Sequence, residues 1–184
     1  MNQNKQSNDE YLPLVEDFYT LQGEGFHTGK PAYFIRIGGC DIGCQWCDAK
    51  MTWNPGIHPM VHIDEIAEKA ASFPAKSIVV TGGEPMNYNL DKLCMLLKKK
   101  NITSYLETSG THPMTGIWDW ICLSPKRQSP PEKEFYNKAK ELKVIIYEDL
   151  DFDWAEKNAK LVAGNCMLYL QPEWSRLKTM IPAI

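Results

Sequence analysis

The feature that most limits how this chain can fold is an alternation of short apolar runs with longer amphipathic ones. "AYFIRI" (32–37), "SIVVT" (77–81), "SYLET" (104–108), "WICLS" (120–124), "KVIIY" (143–147) and "CMLYL" (166–170) are brief and rich in β-branched or aromatic residues, so they read as strands. Between them, "IDEIAEKAASF" (63–73) places Ile63, Ile66, Ala67 and Ala70 on one helical face, and residues 90–100 turn Leu93, Leu96 and Leu97 inward. "EKEFYNKAKEL" (132–142) and "DFDWAEKNAK" (151–160) also carry a helical period. Strands separated by helices predict an α/β fold whose parallel sheet is made of βα units. Six such units are too few to close the eight-stranded barrel, so the expectation is a partial, open β/α barrel. The polar residues 1–10 read as a disordered tail, and residues 11–184 as a single domain without repeats or linkers.

In sheets of this kind, functional groups gather just beyond the carboxyl ends of the strands. The unusual residues of this chain lie there. A cysteine loop follows the first strand, "GGEP" (82–85) the second, "TSG" (108–110) the third and "SPK" (124–126) the fourth, with "QPEW" (171–174) after the sixth.

Composition removes several function classes. With 43% hydrophobic and 23% charged residues in 184, the chain is an ordinary globular sequence. A net charge of −3 and a pI near 5.8 argue against a broad electrostatic grip on nucleic acid. No apolar run approaches the roughly 18–20 residues that span a bilayer, and "MNQNKQSNDE" has no signal-peptide core. The expected address is cytoplasmic, where cysteines stay reduced and serve metals or catalysis more often than disulfides. Cys94, Cys122 and Cys166, inside helical or strand-like runs, are expected in the core.

Cys40, Cys44 and Cys47 form C-x3-C-x2-C within eight residues, much closer than scatter would place them. Three readings stay open on spacing alone. A structural zinc ion needs a fourth ligand, such as His27, His58 or His62. A [4Fe–4S] cluster on three thiolates leaves one iron open for chemistry. The third reading is three surface thiols without a metal. The histidines otherwise read as surface or loop residues, with His27 and His58 set apart because they border the two motif loops.

The cysteine motif with Trp46 before its last cysteine, followed by "GGEP", resembles the radical S-adenosylmethionine (SAM) superfamily. "YTLQGEG" (19–25), Arg36 and the short chain narrow the resemblance to the 7-carboxy-7-deazaguanine synthase family, from about Val15 to Ser175. Members of that family contract 6-carboxy-5,6,7,8-tetrahydropterin to 7-carboxy-7-deazaguanine with loss of ammonia, on the route to the tRNA base queuosine. The resemblance implies a SAM-derived radical that takes hydrogen from C6 of the pterin and later returns it, so that SAM is regenerated.

What it implies residue by residue is specific. Cys40, Cys44 and Cys47 hold the cluster. Leu21, Gln22, Gly23 and Glu24 line the substrate pocket, Arg36 meets the substrate carboxylate, and Thr81 contacts substrate; Glu24 and Arg36 are the catalytic candidates. Trp46, Cys47, Asp48, Gly83, Glu84, Ser109, Ser124, Pro125, Lys126, Gln171, Pro172, Glu173 and Trp174 contact SAM. A homodimer and a flavodoxin- or ferredoxin-like electron donor are implied as well, with no nucleic-acid or membrane partner. Two departures from the family pattern stand out. Ala49 replaces the threonine that commonly helps to hold Mg2+, which puts magnesium dependence in doubt. The chain also stops inside "SRLKTMIPAI" (175–184), where the family pattern continues to a tail that closes over substrate. The rivals are a glycyl-radical activase, which shares the cluster loop and GGEP but lacks LQGEG, and a non-catalytic zinc module.

Overall fold

The structure is a computed structural model that describes residues 9–184; most of the expected tail therefore lies outside the described residues. Eight strands form one sheet in the order β3-β1-β2-β4-β5-β6-β7-β8. Six of them are the expected parallel set: β2 (Pro31–Ile37), β4 (Ser77–Gly82), β5 (Thr103–Thr108), β6 (Trp120–Leu123), β7 (Glu141–Ile146) and β8 (Met167–Pro172). Helices α1 (Ile63–Ser72), α2 (Asp91–Lys99), α3 (Lys133–Lys138) and α4 (Leu150–Ala159) lie in four of the five crossovers, the β5–β6 connection being a loop, and α5 (Leu177–Met180) follows β8.

Two strands were not anticipated. β1 (Tyr11–Leu21) runs antiparallel to β2 from Leu14↔Ile37 to Leu21↔Pro31, and β3 (Met60–His62) pairs antiparallel with the start of β1. Glu16, Asp17 and Thr20 interrupt the apolar positions of "YLPLVEDFYTL", a signal weaker than the shorter apolar runs of the parallel strands. A second difference concerns residues 132–142. The helix ends at Lys138, Ala139 takes extended backbone (ψ 132°), and Glu141 and Leu142 join β7 opposite Cys122 and Leu123. Two ladder partners outweigh a marginal helical period.

Strand alternation sorts side chains onto two faces. Tyr33, Ile35 and Ile37 of β2, Ile78 and Val80 of β4, Leu106 of β5, Leu123 of β6 and Val144 of β7 join one buried core with Ile66 and Ala70 of α1, Leu93 and Leu97 of α2, and Phe135 of α3. The other face is the concave lumen of the partial barrel. It begins with a small apolar patch of Ala32, Phe34 and Val79 and then turns polar with Arg36, Thr81, Glu107, Cys122 and Lys143. Cys94 and Cys166 are buried as expected; Cys122 is buried too, but within the lumen.

The segment between β1 and β2, residues 22–30, forms a strap over the amino-terminal end of the lumen. Gln22 N donates to Lys30 O (2.8 Å) and Gly29 N to Gln22 O (2.9 Å), which closes the loop on itself. Phe26 stacks on Trp120 at 4.8 Å and His27 on Tyr105 at 4.6 Å. Gly25 has φ +71°, and a Cβ there would lie 2.1 Å from Glu141 Oε1, so glycine is required.

Candidate active site

The lumen holds a cavity of about 530 Å³ between the strap below and the cysteine loop above, within the usual size of small-molecule sites. The strap end supplies Leu21, Gln22, Gly23 and Glu24, and the strands supply Arg36 and Thr81. The strand-end loops add Cys40, Cys44, Trp46, Cys47 and Asp48, then Gly83, Glu84 and Ser109, then Ser124 and Lys126, and finally Gln171. Pro125, Pro172, Glu173 and Trp174 lie outside the lining. Pro125 O instead accepts from Trp154 Nε1 (3.3 Å), Glu173 caps the turn that follows β8, and Trp174 is 84% exposed.

The two glycine-bearing motifs interlock. Gly83 N donates to Ile37 O and Glu84 N to Gly39 O, both at 2.8 Å. A Cβ on Gly82 would sit 2.2 Å from Ile37 O, and one on Gly83 would sit 2.2 Å from Gly39 O and 2.9 Å from the Cβ of Cys40. The glycines of GGEP therefore let this turn lie directly against the cysteine loop. Glu84 is 1% exposed, and its carboxylate accepts from Met86 N (3.0 Å), Thr108 Oγ1 (2.5 Å), Ser109 N (2.8 Å) and Ser109 Oγ. It acts as a buried buckle between two loops. A further tie comes from His112 Nε2, 3.0 Å from Asp41 Oδ1; that contact holds the Asp41 carboxyl below its usual range.

The thiols have distinct surroundings. Burial pushes Cys40 and Cys44 up from the ordinary thiol range. Lys126 and the Gln128 amide, which donates to Cys44 Sγ at 3.2 Å, pull Cys44 back toward the thiolate. Lys126 itself donates to Ser124 Oγ (2.6 Å) and lies 5.4 Å above the Trp46 ring.

A family model described as the Radical SAM superfamily matches residues 34–146. The 7-carboxy-7-deazaguanine synthase of Flavobacterium psychrophilum is 54% identical over 175 residues, covering 95% of this chain and 83% of the relative. The chain belongs to the 7-carboxy-7-deazaguanine synthase family. The synthase of a Synechocystis species is 48% identical over 162 residues, covering 88% of this chain and 78% of the relative. Among solved structures, the crystal structure of QueE from Escherichia coli matches with a TM-score of 0.78 and 30% identity, over 94% of this chain and 89% of that one.

Membership of the radical SAM superfamily implies an iron–sulfur cluster and SAM. Among the described residues no three histidine, cysteine or acidic side chains already stand gathered as a metal site. The donor set nonetheless fits the cluster: three thiols of one loop reach the cavity, and Lys126 and Gln128 favour the ionised form of one of them. The fit to Mg2+ is poorer. Ala49 brings no side-chain oxygen, and Thr52 Oγ1, fully buried, donates to Ala49 O (2.7 Å), which leaves Asp48 as the carboxylate nearby in the lining.

Two cavity residues escaped the family motifs. Lys143 of β7 pairs with Glu24 Oε1 and lies 3.6 Å from Glu107 Oε2. Glu107 of β5 also accepts from Gln22 Nε2 (3.1 Å) and Thr81 Oγ1 (3.5 Å). A charged residue inside an otherwise apolar strand was the available signal, in "SYLET" and "KVIIY". His27, by contrast, packs in the strap's aromatic stack, His58 Nε2 meets Met51 O (2.8 Å), and His62 caps α1.

Proposed function

We propose that the protein is a 7-carboxy-7-deazaguanine synthase, which contracts the ring of 6-carboxy-5,6,7,8-tetrahydropterin with loss of ammonia and uses SAM catalytically in queuosine biosynthesis. The observation that carries this reading is the meeting of the Gln22–Glu24 strap with Arg36 and Thr81 in one cavity, capped by the three-cysteine loop. When bound beside Cys40, Cys44 and Cys47, the cluster and SAM would supply the radical chemistry for hydrogen abstraction. The chain's own residues bind and orient. Glu16 Oε1 holds Arg36 Nε at 2.7 Å, so the guanidinium is braced from behind and its Nη pair offers a fork to the substrate carboxylate. Glu24, Gln22 and Thr81 meet the polar edge of the pterin. Cys40, Cys44 and Cys47 ligate the cluster; Trp46, Asp48, Gly83, Ser109, Ser124, Lys126 and Gln171 border the SAM space, with Glu84 fixing the loops that shape it.

The same reading treats residues 11–184 as one radical SAM domain of a cytoplasmic homodimer served by a flavodoxin- or ferredoxin-like donor. Among the described residues no helix is long and apolar enough to cross a membrane. Anaerobic turnover of 6-carboxytetrahydropterin with reductant and SAM, followed by mass analysis, tests the proposal. The deazaguanine acid is expected, with SAM recovered. A cluster-loaded protein that binds SAM but makes no product would move the assignment to the activase reading.

A further inference from the structure

Lys143 is unusual in its placement. Its side chain is 8% exposed on the lumen face of β7, while Glu24 approaches from the strap and Glu107 from β5. The other ionisable groups around it are accounted for. Cys122 on β6 is pushed far up by burial and stays a neutral thiol. Glu141, two residues back on β7, accepts from Phe26 N (3.3 Å) and Trp120 Nε1 (3.2 Å) and so belongs to the strap's seat. Lys126, above, points its ammonium to Ser124. Burial works against the Lys143 charge, but Glu107 and then Glu24 outweigh it and keep the ammonium well above the ordinary lysine range.

A buried cation facing two carboxylates leaves one negative charge uncompensated at the cavity wall. Glu107 already has two neutral donors, Gln22 and Thr81. Among the described residues Glu24 has only Lys143 as its ionic partner, and it sits on a loop rather than a strand. The residue with least support from its own backbone is thus the one the ammonium holds.

We propose that Lys143 is a positioning residue for substrate: it holds Glu24 aimed into the cavity, with Glu107 bracing the lysine from the other side. A carboxylate fixed in place suits a ligand edge with two parallel N–H donors, such as the 2-amino-4-oxo-pyrimidine edge of a pterin. This rests on the functional reading above and adds to it the residue that presents Glu24.

The test is a double-mutant cycle on equilibrium binding of 6-carboxytetrahydropterin. Cluster-loaded protein with SAM and no reductant is titrated calorimetrically, so no turnover is needed. Lys143→Met and Glu24→Gln are each expected to weaken binding about tenfold or more. The double variant should be no worse than Glu24→Gln within about threefold, because the lysine acts through that carboxylate. Additive losses, or Lys143→Met binding like wild type, overturn the proposal. If Lys143→Met does not fold, Lys143→Arg takes its place: retained charge should keep affinity within about threefold, and a tenfold loss in that folded variant also overturns it. Wild-type protein that binds no pterin sinks the functional reading and this one with it, whereas additivity in a binding-competent wild type sinks the Lys143 role alone.

Discussion

The two faces of the parallel strands are made of alternating residues that follow different rules. On β5, Leu106 points to the helices and is fully buried in the apolar core, whereas its neighbour Glu107 faces the lumen and accepts from Gln22 and Thr81. On β7, Val144 and Lys143 divide the same way. The helix face is insured by many equivalent apolar contacts. The lumen face rests on a few specific pairs between distant segments, such as Lys143 with Glu24, 119 positions apart. Stability and function are therefore separable along a single strand, one residue at a time.

That separation can be broken most forcefully at Leu106. Leu106→Ala removes a large side chain from a packed core, so unfolding by denaturant should show a loss of about 2–5 kcal/mol, while the folded fraction binds pterin with unchanged affinity. Next in size is Glu107→Gln. Pterin affinity should fall about tenfold or more, because the carboxylate that braces Lys143 and accepts from Gln22 and Thr81 becomes an amide, yet stability should move by less than about 1 kcal/mol. Exchanged phenotypes for these adjacent positions would end the division between faces. The smallest effect is expected at Gln128→Leu, which removes one N–H donor from Cys44 Sγ. Stability should stay within about 0.5 kcal/mol, and the cluster's midpoint potential should drop, because the donor favours the more negative, reduced cluster. An unchanged potential in an anaerobic redox titration would show that the contact plays no part in tuning the metal.

Much of the frame was legible because its signals are local. Short runs rich in β-branched and aromatic residues announced all six parallel strands, and Ile63, Ile66, Ala67 and Ala70 fell on the buried side of α1 as their spacing predicts. β1 and β3 were missed because β1 carries polar residues among its apolar ones and β3 has only three residues. In the site, most motif residues converge on the cavity, while Pro172, Glu173 and Trp174 follow Gln171 out of it as β8 ends. Glu84 was read as a cofactor contact; it lines the cavity, and the fold also surrounds its carboxylate with donors from Met86, Thr108 and Ser109, a bracing role that no local pattern announces.

Sequence alone settled the alternation of strands and helices and the place of the cysteine loop at a strand end, since each depends on neighbours a few residues apart, whereas the need for glycine in GGEP comes from the approach of Ile37 and Gly39 across the sheet. Only the tertiary structure decided that Lys143, Glu24 and Glu107 share one lumen and that the strap seats against Glu141. Those pairings depend on the curvature of the sheet, which brings β5, β7 and the β1–β2 loop around a common space, and no local period in a chain encodes that distance.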